Sequence, residues 1–78
     1  MLEIDVHGFY LEDAKYEILE KIDECLVIGE ETLKVIHGYH THIIRDYIRS
    51  RAFIDFARDN GYEITTLEDT QGTTLILI

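Results

Sequence analysis

The sequence predicts a small α/β domain with the element order β-α-β-α-β-β. Three observations carry that reading. Apolar residues alternate at the start of the chain, two later stretches space them as helices do, and two Thr/Ile/Leu-rich runs flank a glycine-bearing loop at the end. With 78 residues there is room for a single domain, 1–78, and no second core.

The elements follow in order. Leu2, Ile4 and Val6 alternate with Glu3, Asp5 and His7, the period of a half-buried strand, and Gly8 breaks it. Leu11, Ala14, Ile18, Ile22, Cys25 and Leu26 form the apolar stripe of a helix whose other face is charged, and Gly29 is placed to stop it. Thr32 to His37 reads as a second strand, ended by Gly38. A second helix turns Ile43, Ile44, Tyr47, Ile48 and Ala52 inward and runs to about Arg51. Phe53 to Arg58 is its last turn or a separate short helix. Tyr62–Leu67 and Thr73–Ile78 read as a hairpin, and the second of these runs is apolar on both faces, as an interior strand is. There is no proline to mark a boundary.

Composition removes several function classes. The single cysteine, Cys25, excludes a disulfide framework and a cysteine-based zinc finger, and it reads as inert core. No apolar run approaches a membrane span and no signal peptide opens the chain, so the expectation is a cytoplasmic protein with no membrane partner. The formal net charge of −9 argues against general nucleic-acid binding, which needs cations for the phosphates. Its distribution is uneven. Residues 1–33 carry ten acids against two lysines, whereas residues 34–58 hold Lys34, Arg45, Arg49, Arg51 and Arg58 against only Asp46 and Asp55. An acidic body with one basic strip steers a polyanion to one place; equally, these are the charges of ordinary solvated helix faces.

Strand, crossover helix and strand usually make a parallel, right-handed unit. His7 and His37 then end neighbouring strands and belong at one edge of the sheet, within about 10 Å given adjacent-strand spacing. Asp5 and His7, two apart, share a face. The second helix begins just beyond His37-Gly38, so its free N–H groups face the same crevice, where ligands of open α/β sheets tend to bind. Asp5, His7 and His37, with the helix N-terminus, therefore form a candidate functional site. Imidazoles exchange protons near neutral pH, so two of them at one edge have the chemistry of a base and an acid. Asp5 fixes a tautomer or holds a hydrated metal. Tyr39 stacks on a base or simply covers the sheet edge. Arg49, one turn after Arg45, extends a phosphate track or pairs with Asp46 or Asp55. His37, His40 and His42, with His7 near, also have a spacing that can hold zinc, though not one exclusive to it.

These residues resemble the Smr (small MutS-related) domain family. Ile4-Asp5-Val6-His7-Gly8 is similar to its Leu-Asp-x-His-Gly opening, and Phe9-Tyr10-Leu11-Glu12-Asp13-Ala14 to the Leu-Thr-x-Glu-Glu-Ala helix start that follows. Val35-Ile36-His37-Gly38 through Arg45 resembles its second mark, a strand ending in His-Gly-x-Gly before a helix start with arginine. Gln71-Gly72-Thr73-Thr74-Leu75-Ile76-Leu77 resembles its close. The resemblance implies a two-layer sandwich, a four-stranded mixed sheet with both helices on one face, similar to the C-terminal domain of translation initiation factor three. It implies endonucleolytic activity on DNA or RNA at Asp5, His7, His37 and Gly38, with Arg45 as a phosphate contact.

Three departures stand out. His40 and His42 replace family glycines, which removes the bare-backbone phosphate cradle and puts two imidazoles in its place. Tyr10 stands at the threonine N-cap, at a cost of about 1 kcal/mol. The third is the acidic balance. The resulting expectation is a nucleic-acid partner, RNA before DNA, because RNA carries its own 2′-hydroxyl nucleophile. No cofactor is required, and a divalent metal such as Mg²⁺ is an option. The alternatives are a binding module for nucleic acid or a phosphorylated ligand that does not cleave, and an interaction domain with no ligand.

Overall fold

The computed structural model describes residues 1–38 and 42–78. Among the described residues the elements are β1 (Leu2–Asp5), α1 (Leu11–Ile28), β2 (Thr32–Ile36), α2 (Ile43–Ile48), α3 (Arg51–Asp59), β3 (Thr65–Glu68) and β4 (Thr73–Leu77). The strands make a four-stranded mixed sheet in the order β1-β2-β4-β3. β1 runs parallel to β2, and β4 is antiparallel to both β2 and β3. The expected two-layer fold is therefore present, with β4 in the interior as its two apolar faces require.

The helices cover one face of the sheet. Ala14, Ile18, Ile22 and Cys25 on α1, Ile44 and Ile48 on α2, and Phe53 and Ala57 on α3 are buried against Val6, Leu33, Val35 and Ile76. Recurrence every three or four residues aims α1 at the sheet. Gly29 ends α1 with φ of 80°, and its N–H closes on the Cys25 carbonyl, a left-handed cap that suits glycine best. Burial also pushes the Cys25 thiol up, away from its reactive thiolate form. Among the described residues, no helix is long and apolar enough to cross a membrane.

Three local expectations need correction. Of the two readings of the second helical stretch, the separate short helix is the one formed, but the break falls at Arg49-Ser50 and not after Arg51. Ser50 is extended (φ −99°, ψ 162°), and its hydroxyl donates to the Tyr47 carbonyl at 2.5 Å, giving the backbone an alternative to the helical ladder. The break resets the phase, so Phe53 and Ala57 point inward while Ala52 lies exposed; Ile43, at the start of α2, is exposed too, because the buried stripe of that helix is Ile44 and Ile48. The first hairpin strand begins at Thr65, not Tyr62. The Tyr62 N–H closes the end of α3 on the Ala57 carbonyl and its hydroxyl donates to Asp23 on α1, so this residue is committed to the helices.

Candidate functional site

The two His-Gly turns do meet. Val6 N–H donates to the Ile36 carbonyl at 2.8 Å, which carries the parallel register one step beyond the Asp5–Ile36 pair. Gly38 then lies against His7: a Cβ built on Gly38 would stand 3.2 Å from the His7 Cβ. Gly38 also has φ of +80°, so the position favours glycine on two counts. The N–H groups of His37 and Gly38 both donate to the Gly72 carbonyl, at 2.9 and 3.1 Å, which clamps this turn to the start of β4.

The rings do not meet. Leu2 and Ile4 pair with Leu33 and Val35 on the helix-covered side of the sheet, so Asp5 stands on the open side. The His7 ring joins it there. Nδ1 lies 2.6 Å from Asp5 Oδ1, the same oxygen accepts from the His7 N–H at 3.1 Å, and the His7 side chain is 70% exposed. These two hydrogen bonds hold the Asp5 carboxyl below its ordinary range, against a small effect of burial. Among the described residues no hydrogen bond engages His7 Nε2, so an oriented imidazole faces solvent.

His37 continues the Leu33–Val35 alternation and lies beneath the helices, 8% exposed. Its Nε2 is 2.9 Å from Thr74 Oγ1 and its Nδ1 is 3.2 Å from the Gly38 carbonyl. Arg49 Nε donates to the same Thr74 oxygen at 2.8 Å. One assignment satisfies every group: Arg49 donates to the Thr74 hydroxyl, that hydroxyl donates to Nε2, and Nδ1–H donates to the carbonyl. The ring is then neutral, and burial holds its pKa below the ordinary value, opposed by the Gly38 carbonyl and reinforced by the charges of Arg49 and Arg45. The expected pair of convergent imidazoles is thus not what the fold presents. Residue parity on β2 sends His37 to the covered face while Asp5 and His7 stay on the open one.

Arg49 likewise pairs with neither Asp46 nor Asp55. Its guanidinium reaches across to the hairpin, donating to the Thr70 carbonyl at 2.7 Å and the Thr73 carbonyl at 3.1 Å, and it lies 3.6 Å from Glu68. Its donors are spent holding α2 to β4, which removes it from a phosphate track. Arg45 is paired with Asp46 at 3.0 Å. All seven Lys and Arg residues of the chain have a carboxylate within 4.0 Å, so the basic strip is largely neutralised. His42 takes positive φ (62°) ahead of α2, a conformation that histidine adopts more readily than most residues, and its side chain is exposed. Tyr39 and His40 lie outside the described residues. No group of three or more His, Cys, Asp or Glu side chains among the described residues converges to hold a metal.

Thr74 is the residue that sequence reasoning missed. Its signal was present: it shares the buried face of an interior strand with Ile76, and a hydroxyl there needs a partner.

A family model described as the Smr domain matches residues 4–54. The endonuclease MutS2 of Finegoldia magna is 35% identical over 80 residues, covering 97% of this chain and 10% of that protein. The endonuclease MutS2 of Brevibacillus brevis is 30% identical over 64 residues, covering 77% of this chain and 8% of that protein. The chain thus spans about a tenth of the length of the curated relatives it matches. The crystal structure of the Smr domain of Thermus thermophilus MutS2 matches with a TM-score of 0.76 at 20% identity, over 99% of this chain and 96% of that one, a likeness of fold.

Proposed function

Because this chain belongs to the Smr domain family, we propose that it acts on nucleic acid and cleaves phosphodiester bonds, with His7 as its proton-transfer group and Asp5 orienting it. One observation carries this reading: an exposed imidazole whose Nδ1 lies 2.6 Å from a carboxylate, at the carboxyl end of a parallel strand. Asp5 holds Nδ1–H, which leaves Nε2 as the acceptor a general base needs. The names of the MutS2 relatives agree with the reaction class. RNA is the better substrate on chemical grounds, since its own 2′-hydroxyl is the nucleophile that His7 would deprotonate. DNA would need an activated water. His37 supports this site from below, through the clamped Gly38 turn against which His7 rests.

The test is cleavage of single-stranded RNA and of supercoiled DNA by the wild-type chain and by the Asp5→Asn/His7→Ala double variant, with and without EDTA. RNA cleavage that survives EDTA and disappears in the variant supports the reading. Cleavage that persists in the variant refutes it. The second reading, a nucleic-acid binding module without cleavage, is favoured by the engagement of both His37 nitrogens, which leaves a single solvent-facing imidazole at this edge among the described residues. Binding of RNA with no cleavage above the double variant would select it.

A further inference from the structure

We infer that the groove beside the His7-Gly8 turn, walled by Phe9, Tyr10 and Tyr16, seats an unpaired nucleobase bearing an amino group. This rests on the nucleic-acid reading above and specifies which part of the strand this chain grips. The groove has a volume of about 490 Å³, and Gly8, which follows His7 in the chain, is among the residues that line it. The three rings are 44%, 83% and 54% exposed. Tyr10 occupies the N-cap of α1 without making a capping bond, and with Phe9 it stands where the family pattern has leucine and threonine. Neither the cap nor the core explains so much uncovered aromatic surface around one groove. Tyr16 is braced from the side, edge-on to Phe56 at 5.4 Å with Lys15 5.6 Å from its ring centroid. A braced, exposed ring is suited to stacking, which every base can accept through its flat face.

Charge then selects the base over the backbone. Asp13 and Glu17 line the groove and, among the described residues, neither is in an ion pair, whereas Glu12 is held by Lys15 at 3.1 Å. Carboxylates repel phosphates but accept hydrogen bonds from the exocyclic amino groups of cytosine, adenine and guanine. Uracil offers no such amino group. In a duplex both faces of a base are covered by its neighbours, so the groove takes a base from a single strand, a loop or an end.

The chain has no tryptophan, so Tyr10→Trp installs a single indole in the groove. It is titrated with 2′-O-methyl oligocytidylate, 2′-O-methyl oligouridylate and an abasic sugar–phosphate strand, none of which can be cleaved through a 2′-hydroxyl. The expected result is saturable quenching by oligocytidylate, several-fold weaker binding of oligouridylate and no quenching by the abasic strand. In the otherwise native chain, Tyr10→Ala should weaken oligocytidylate binding about 5-fold or more, and Tyr10→Phe should restore it. Asp13→Asn/Glu17→Gln should erase the preference for cytosine over uracil. Equal binding of the abasic strand, or native affinity in Tyr10→Ala, overturns the inference while leaving the cleavage reading intact. No binding of any strand by the native chain refutes the nucleic-acid reading itself.

Discussion

The chain contains two His-Gly turns at the ends of neighbouring parallel strands, and they have opposite chemistry. Gly8 and Gly38 take nearly the same backbone angle, φ of 78° and 80°. One histidine is exposed and tied to a carboxylate; the other is buried and tied to a threonine and a carbonyl. The dipeptide specifies the turn, but strand parity specifies the face, and the face decides whether the imidazole has a proton to exchange. His7 has a nitrogen facing solvent. His37 has allotted both of its nitrogens to the fold.

The largest expected effect tests the exposed member. His7→Ala should lower RNA cleavage by roughly 10²–10⁴-fold, the usual worth of a positioned general base. Its urea midpoint should barely move, because an exposed ring contributes little packing. A large loss of stability without loss of cleavage would invert the comparison.

The buried member should respond the other way. Thr74→Val keeps the shape but leaves Arg49 Nε and His37 Nε2 without their shared partner. At about 1–3 kcal/mol per stranded buried group, and less for Arg49, which is only partly buried, the loss should be about 2–4 kcal/mol in urea unfolding, and Thr74→Ser should recover most of it. A neutral Thr74→Val would mean that the chain of hydrogen bonds carries no weight.

The glycines offer a smaller and sharper contrast. Both lose the positive-φ allowance on mutation to alanine, at about 1–2 kcal/mol. A Cβ at Gly8 meets nothing within 4 Å, whereas one at Gly38 meets His7 at 3.2 Å. Gly38→Ala should therefore be the more destabilising and should also reduce cleavage by displacing His7, while Gly8→Ala should show the backbone cost alone. Equal losses in unfolding and in cleavage would show that the turns do not press on one another.

The smallest effect separates the two turns by pH. The folded chain holds the His37 pKa below its unfolded value of 6.5, so the unfolded state binds more protons in that interval. This stability is full above pH 6.5 and is lost as pH falls from there to the folded pKa, at a slope of at most about 1.4 kcal/mol per pH unit. Asp5 is also lowered, from 3.8, so its contribution is present above that value and lost as pH falls through the folded pKa. Exposure to solvent keeps that second step small. Urea midpoints measured from pH 7 to pH 3 should show the first step vanish in His37→Gln and the second in Asp5→Asn.

Much of this arrangement was legible in the residues, and what was not has identifiable causes. Alternation in Leu2–Val6 and the apolar run Thr74–Ile78 were enough to give the first strand and the interior strand, because burial on one or two faces writes itself directly into sequence period, and the helix between the first two strands gave their parallel pairing. The same alternation through Leu33, Val35 and His37 placed the His37 ring under the helices; adjacency of the two turns was read without that parity. Arg49 was opaque for another reason. Its partners on the hairpin lie 19–25 residues away, and no local pattern announces them. A separate third helix was one of two readings, but the place of the break was hidden, because a serine hydroxyl bonding to Tyr47 competes with the helix without a local apolar signal.

The position of β4 bears on how such a domain comes into being. The last strand in the sequence lies in the middle of the sheet, with β2 on one side and β3 on the other. Until Thr73–Leu77 has left the ribosome, β2 has an unfilled side, β3 has no neighbour, and Thr74 cannot receive His37 and Arg49. Completion of the sheet must wait for the last of its four strands, and the helical layer has only a β1–β2 ribbon to rest on in the meantime.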